Sequence, residues 1–131
     1  MTADTSGSIR LLLADDHTIV RRGLMALLNA EPDLLVVAEA ADGTEALIRW
    51  RECRPDVVLA DLRMPGLGGA ALTQAIRSEW TDARVIVLTT YDHDEGIYAA
   101  VRAGAKAYLL KDVEPEILFN CIRRSMQGRP A

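Results

Sequence analysis

The chain has 131 residues, half of them apolar, which suffices for one domain with a sizeable hydrophobic core. Its net charge of -4 argues against nucleic-acid binding by this segment, because such binding needs a basic patch. The two cysteines lack a metal-type or redox-type spacing, and no apolar run approaches the length of a membrane span, so the sequence predicts a reduced, cytoplasmic protein without a membrane partner.

The predicted elements alternate between strands and helices. Residues 1–8 predict a disordered lead-in, the domain is expected over residues 9–128, and residues 129–131 are expected to begin a linker or C-terminal tail. In chain order, apolar runs and helical spacing predict a strand at 9–14, a helix at 18–30, a strand at 34–40, a helix at 43–53, a strand at 57–60, a helix at 70–80, a strand at 83–88, a helix at 94–103, a strand at 107–110 and a helix at 115–127.

This order of elements predicts an α/β fold, namely a five-stranded parallel sheet with five helices on both faces. Two helices have capping boxes at their starts, formed by Asp42 with Glu45 and by Asp92 with Glu95. Gly96 falls inside the predicted fourth helix and should cost it about 1 kcal/mol relative to alanine. We therefore expect the fourth helix to be less stable than its neighbours.

Three carboxylates follow two of the predicted strands. Asp15 and Asp16 follow the first strand, and Asp61 follows the third. In open α/β sheets, ligands bind outside the carboxyl ends of the strands, so neighbouring strands would bring the three acids into one pocket. Such a pocket suits Mg²⁺ or another hard divalent ion. Taken singly, Asp16 could instead cap the following helix, and Asp61 could be a turn residue.

Two further predicted strands end in residues that would place a hydroxyl and an ammonium group at the same edge of the sheet as the acids. Thr89 follows the fourth strand and Lys111 follows the fifth. Near a carboxylate and a cation, these two groups would form a phosphoryl-binding set. Each also has a simpler interpretation, since Thr89 is a common strand residue and Lys111 could be a solvated charge.

The order and spacing of these motifs resemble the receiver domain of two-component response regulators. The motifs are Asp15-Asp16, the segment Asp-Leu-Arg-Met-Pro-Gly at 61–66, Thr-Thr-Tyr at 89–91, and Ala-Gly-Ala-Lys-Ala-Tyr-Leu-Leu-Lys at 103–111. The residues of these motifs are most similar to those of the NarL/LuxR branch of transcription regulators. The resemblance implies the doubly wound, flavodoxin-like receiver fold over essentially the whole chain.

The resemblance also implies a phosphoryl-accepting site. Asp61 would take a phosphoryl group from a sensor histidine kinase or from a small acyl phosphate. Asp15, Asp16 and Asp61, with the backbone carbonyl of Arg63, would hold Mg²⁺. Lys111 would neutralise charge on the phosphoryl group.

A switch is implied by two residues of the same motifs. Thr89 would hydrogen-bond the phosphoryl group, and its movement would let Tyr108 shift from an outward to an inward position. The alternative is that Tyr108 is a fixed strand aromatic.

The family resemblance implies partners as well. We expect a DNA-binding output domain that is absent from this chain, and therefore favour a truncated sequence. The apolar residues of the last helix cover a wider face than packing against the core requires. We therefore expect one side of this helix to contact either a second copy of the chain, as a homodimer, or the output domain.

Two other function classes remain as alternatives. A phosphatase of similar chemistry usually carries an acid two residues after the nucleophile, where this chain has Arg63, which argues against an enzyme. A phosphorylation-independent interaction module would tolerate loss of the acids or of Lys111, and both are present.

The remaining charged residues near the acidic edge have structural interpretations. His17 and His93 lack a partner at metal-ligand spacing apart from the acids, so a metal role is not favoured. Arg21 and Arg22 are predicted to lie on a solvated helix face, although they could help to dock a kinase.

Overall fold

The computed structural model describes residues 7–91 and 94–127, and within them it has five strands and five helices in strict alternation. They are β1 (Ile9–Ala14), α1 (Thr18–Asn29), β2 (Leu34–Ala40), α2 (Gly43–Cys53), β3 (Val57–Asp61), α3 (Gly69–Glu79), β4 (Val85–Thr89), α4 (Gly96–Arg102), β5 (Ala107–Leu110) and α5 (Pro115–Gln127). The predicted fold class is confirmed.

The five strands form one parallel sheet in the order β2-β1-β3-β4-β5. The chain therefore winds outward from β1 in one direction to β2, and in the other direction through β3, β4 and β5. The carboxyl ends of β1 and β3 lie side by side, with Ala14 paired to Ala60. In sheets of this kind, the point where the strand order reverses is where ligands bind.

Two apolar layers cover the sheet, as the near-continuous apolar runs of its inner strands require. On one face, Leu12, Val58 and Val87 pack with residues of α2, α3 and α4. On the other face, Leu11 and Leu59 pack with residues of α1 and α5. The inner strands are thus buried on both faces, so only their ends are open to ligands.

The start of α2 fixes the loop that follows β3. The predicted capping box is confirmed on its N-cap side, because Asp42 accepts a hydrogen bond of 2.7 Å from the backbone N–H of Glu45. The backbone N–H of Gly43 donates to the Pro65 carbonyl at 3.1 Å. A Cβ at position 43 would lie 1.8 Å from the Leu67 carbonyl oxygen, so only glycine permits this approach. The loop after Asp61 is therefore packed tightly against α2.

Several predicted boundaries differ from the structure. The strand predicted at 83–88 begins at Val85, and the helix predicted at 94–103 begins at Gly96. Gly96 is thus the first residue of α4, and the cost expected of a glycine in a helix interior does not apply. Asp94 accepts a hydrogen bond of 2.8 Å from the backbone N–H of Gly96.

Some sequence predictions fall outside the described residues. They are most of the lead-in, Asp92 of the second capping box, His93, and residues 128–131. Among the residues described, no helix combines the length and the apolar character needed to cross a membrane. Cys53 and Cys121 are both free thiols.

Candidate functional site

Two neighbouring strand ends bring the predicted acids together. Asp15 follows β1, Asp61 is the last residue of β3, and both are buried, with 0% and 3% of their surface exposed. Asp15, Asp16, His17 and Asp61 can each offer one ligand atom, and these atoms all lie within 4.8 Å of one another. Because β1 and β3 are adjacent, the site follows directly from the sheet order.

Lys111 contributes the cation of the site. It follows β5, and its Nζ donates a hydrogen bond of 2.9 Å to Asp61 Oδ2. The same Nζ lies 2.9 Å from Asp15 Oδ2, which is ion-pair distance, but the direction does not suit a hydrogen bond. Asp15 Oδ2 is therefore buried without a hydrogen-bond partner among the residues that the structure describes. One ammonium is shared by two buried carboxylates.

The shared ammonium and the burial of the site shift the pKa values of Asp61 and Lys111. Burial raises the pKa of Asp61, and the charge of Asp15 adds to the increase, whereas Lys111 acts in the opposite direction. Burial lowers the pKa of Lys111, but the hydrogen bond to Asp61 and the contact with Asp15 outweigh burial, so that pKa lies above its ordinary value. A carboxylate with a raised pKa and a second buried carboxylate that shares the same ammonium together fit a hard divalent cation.

Asp16 and Arg63 lie at the open side of the site. Both line a cleft of about 440 Å³ together with Leu62, Met64, Pro65 and Gly68. The N-cap of α1 is His17, not Asp16, so the alternative of Asp16 as a helix cap is not supported. The backbone N–H of Arg63 donates weakly to Asp61 Oδ1 at 3.4 Å, while its guanidinium pairs with Asp94 on the neighbouring loop. The Arg63 guanidinium is thus held by Asp94, and only the Arg63 backbone N–H bonds to Asp61.

Thr89 and Tyr108 lie on the two strands that follow β3 in the sheet, and among the described residues neither forms a hydrogen bond with Asp61. Thr89 is buried at the end of β4, and its hydroxyl donates to the Tyr91 carbonyl at 3.1 Å. Tyr108 is paired with Val87 in the sheet and is 45% exposed. The hydroxyl is therefore engaged by its own loop, and the aromatic ring is in an outward position.

Comparison with known proteins identifies the family. Residues 11–123 match the family model described as the response regulator receiver domain. The chain belongs to this family. The transcriptional regulatory protein LiaR of Bacillus subtilis (strain 168) is 43% identical over 122 residues, which cover 93% of this chain and 58% of LiaR. The receiver domain thus spans little more than half the length of the curated relatives it matches.

Solved structures agree with this assignment. The signal receiver domain of the putative response regulator NarL from Mycobacterium tuberculosis matches with a TM-score of 0.88 and 34% identity, covering 93% of this chain and 98% of that one. A two-component response regulator of the LuxR family from Aurantimonas sp. SI85-9A1 matches with a TM-score of 0.87 and 40% identity, and the match covers 95% of this chain and 89% of that one. The predicted NarL/LuxR-like branch and flavodoxin-like receiver fold are confirmed.

Arg21 of the receiver domain is a site residue that the sequence interpretation missed. It was expected on a solvated helix face, but only 7% of its surface is exposed. Its Nη1 donates to the backbone carbonyl of Asp15 at 2.7 Å, and its Nε donates to Glu39 at 2.7 Å. Positions 21, 24 and 28 share one face of α1, and Leu28 is fully buried, so helical spacing could have indicated burial.

Through these contacts Arg21 ties the backbone of a predicted metal ligand to β2. The hydrogen bond from Arg21 is the main cause of a lowered pKa of Glu39, although burial of Glu39 acts the other way. Arg22 also reaches Glu39, at 3.2 Å, but its side chain is 62% exposed. The prediction of a solvated face is therefore wrong for Arg21 and right for Arg22.

His17 lies closer to the acids than its sequence interpretation suggested. Its Nδ1 is 3.2 Å from Asp15 Oδ1, 3.3 Å from Asp16 Oδ1 and 3.9 Å from Asp61 Oδ2. Its backbone N–H donates to Asp15 Oδ1 at 2.8 Å, and this bond helps to hold the ring over the site. The ring is 62% exposed, so it forms part of the outer wall of the acidic cluster.

Proposed function

We propose that this receiver domain is switched by phosphorylation of Asp61. The phosphoryl group would come from a phosphohistidine of a sensor histidine kinase, and the phosphorylated domain would control a DNA-binding output domain in the full-length protein. The observation that carries the proposal is the pairing of the buried Asp61 carboxylate with Lys111 Nζ at 2.9 Å, beside two further acids at the open end of the sheet. Membership of the receiver family supports it.

The chemistry needs little covalent work from the protein. An oxygen of ionised Asp61 attacks phosphorus, an O–P bond forms, and the P–N bond to the kinase imidazole breaks as the imidazole leaves with the electron pair. With a small acyl phosphate, the bond that breaks is P–O and a carboxylate leaves. Lys111 stays protonated, because its pKa is raised, and it neutralises charge on the phosphoryl oxygens.

Asp15, Asp16, Asp61 and the carbonyl of Arg63 would hold Mg²⁺, which when bound offsets negative charge on the phosphoryl group. The two buried carboxylates that share one ammonium and the oxygen-rich donor set support this choice of ion. Arg21 fixes the carbonyl of Asp15 and so orients the first carboxylate.

Thr89 and Tyr108 would transmit the change. A phosphoryl group on Asp61 offers strong acceptors to the Thr89 hydroxyl, which must then leave the Tyr91 carbonyl. The loop that Thr89 now holds would move, and Tyr108 would shift inward from its exposed position. A coupling of about 1 to 3 kcal/mol is enough for a useful change in population.

The exposed side of α5 is a candidate interaction surface. Ile117 of α5 is 49% exposed, and it lines a groove of about 390 Å³ with Leu109, Cys121 and Arg124. We propose that this side meets a second copy or the output domain. Sedimentation with and without beryllofluoride tests the homodimer, and a monomer in both states at high concentration would exclude it.

Incubation with acetyl phosphate and Mg²⁺, followed by intact mass, tests the proposed function. The parent should gain one phosphoryl group, and Asp61→Ala should gain none. Asp82→Ala is the matched control, because Asp82 is an exposed aspartate outside the acidic cluster and its loss should leave labelling unchanged. An unlabelled parent would favour the interaction module. Turnover of small phosphate esters would favour the phosphatase.

A further inference from the structure

The imidazole of His17 changes the chemical character of the acidic cluster. The three carboxylates alone make an all-oxygen site, which suits hard ions such as Mg²⁺. His17 adds a nitrogen donor that hard ions do not favour, whereas Ni²⁺, Zn²⁺ and related borderline ions bind imidazole well.

The distances between donor atoms fit coordination of one ion. Adjacent ligands of an octahedral ion lie about 3.0 Å apart when the metal–ligand bonds are about 2.1 Å. His17 Nδ1 is 3.2 Å from an oxygen of Asp15 and 3.3 Å from an oxygen of Asp16. The Asp61 oxygen is 3.9 Å away, which a small rotation of the exposed ring can shorten. The four donors can therefore surround one cation.

A second observation concerns the other oxygen of the Asp15 carboxylate, Oδ2, which faces Lys111. Asp15 is completely buried, yet its Oδ2 has no hydrogen-bond partner within the described part of the chain. Its one ion-pair partner there is Lys111, whose Nζ lies 2.9 Å away and is shared with Asp61 Oδ2 at the same distance. Two buried carboxylates therefore face one ammonium, and a metal ion would supply the second positive charge. The open cleft beside Asp16 gives an ion access from solvent.

We propose that His17 Nδ1 is a nitrogen ligand at the acidic site, so that this receiver domain binds borderline divalent ions such as Ni²⁺ more tightly than its carboxylates alone would allow. The inference deepens the proposed function, because it concerns the site that we propose for Mg²⁺. Nitrogen ligation adds little to Mg²⁺ binding, since that ion prefers oxygen.

Calorimetric titration of the tag-free protein with Ni²⁺ and, separately, with Mg²⁺ tests the proposal. His17→Gln keeps a polar side chain but removes the imidazole, and it should weaken Ni²⁺ binding by about tenfold or more while changing Mg²⁺ binding by less than about twofold. Asp16→Ala is the matched comparison and should weaken binding of both ions. In proton spectra with Ni²⁺, the parent should show paramagnetically shifted imidazole resonances that His17→Gln lacks.

Unchanged Ni²⁺ affinity in His17→Gln would overturn the proposal. So would an equal loss for both ions, because that result would make His17 a structural support of the cluster. Tighter binding of both ions by His17→Gln would also overturn it, because that result would show that the His17 ring only competes with the metal as a cation. Labelling by acetyl phosphate separates the two proposals. A parent that is labelled but shows no His17-dependent Ni²⁺ binding refutes this inference alone, whereas His17-dependent binding without labelling refutes the proposed function alone.

Discussion

Replacement of Arg21 by methionine tests whether a buried guanidinium supports the acidic site. Methionine keeps an unbranched apolar side chain of similar length, so the packing of α1 against β2 is largely retained. What is lost are two hydrogen bonds of 2.7 Å, one to the Asp15 carbonyl and one to Glu39. Arg22→Met is the matched control, because Arg22 is the next residue of α1 and shares Glu39 at 3.2 Å.

The expected loss of stability follows from the burial of the partners. Leaving the buried Asp15 carbonyl without its donor costs about 1 to 3 kcal/mol. The Glu39 side chain is 31% exposed, so water can replace part of its lost bond, and that bond adds less than about 1 kcal/mol. We therefore expect Arg21→Met to lower the free energy of unfolding by about 2 kcal/mol. Arg22→Met should lower it by less than about 0.5 kcal/mol, because its side chain is 62% exposed.

Urea denaturation of the three proteins at neutral pH, without metal, measures these differences. A second series with Mg²⁺ should show a smaller stabilisation by the ion in Arg21→Met than in the parent, because the Asp15 backbone is no longer held. Equal losses in the two variants, or no loss in Arg21→Met, would refute the idea that Arg21 supports the site.

Three further predictions concern the acids and the switch. Asp16→Ala should raise the melting temperature of the metal-free protein, since it relieves repulsion among three carboxylates, and a lower value would contradict that crowding. Because burial raises the pKa of Asp61 above its ordinary 3.8, ionisation destabilises the folded state, and this destabilisation appears as pH rises through that raised pKa. Thermal melts in EDTA should therefore show a larger stability advantage of Asp61→Asn at neutral pH than below the ordinary pKa of 3.8. An advantage that is independent of pH would refute the assignment. Thr89→Ala should still be phosphorylated but should lose the chemical-shift changes over residues 94–104, and unchanged shifts would disprove the relay to Tyr108.

The sequence predicted the parts of the molecule that depend on local pattern. Apolar runs located the five strands. The position of the acids and Lys111 at strand ends located the candidate site, because parallel strands end at one edge. The cap at Asp42 followed from a capping box of four residues.

The features that sequence reasoning missed depend on tertiary contacts. Arg21 is buried because Glu39, eighteen residues later, reaches it from the adjacent strand. The start of α4 at Gly96 depends on Asp94, whose carboxylate both accepts from the Gly96 N–H and pairs with Arg63. The position of the His17 ring over the acids depends on its rotamer, which residue spacing does not specify.

Chemical mapping of the phosphorylated residue tests the central claim most directly. The protein is incubated with acetyl phosphate and Mg²⁺, the acyl phosphate is reduced with borohydride, and the modified residue is located by peptide mass spectrometry. The account predicts modification of Asp61 alone, dependent on Mg²⁺ and strongly reduced in Lys111→Ala. Modification of Asp15, Asp16 or another residue in its place, or no Mg²⁺-dependent modification of the parent, would contradict it.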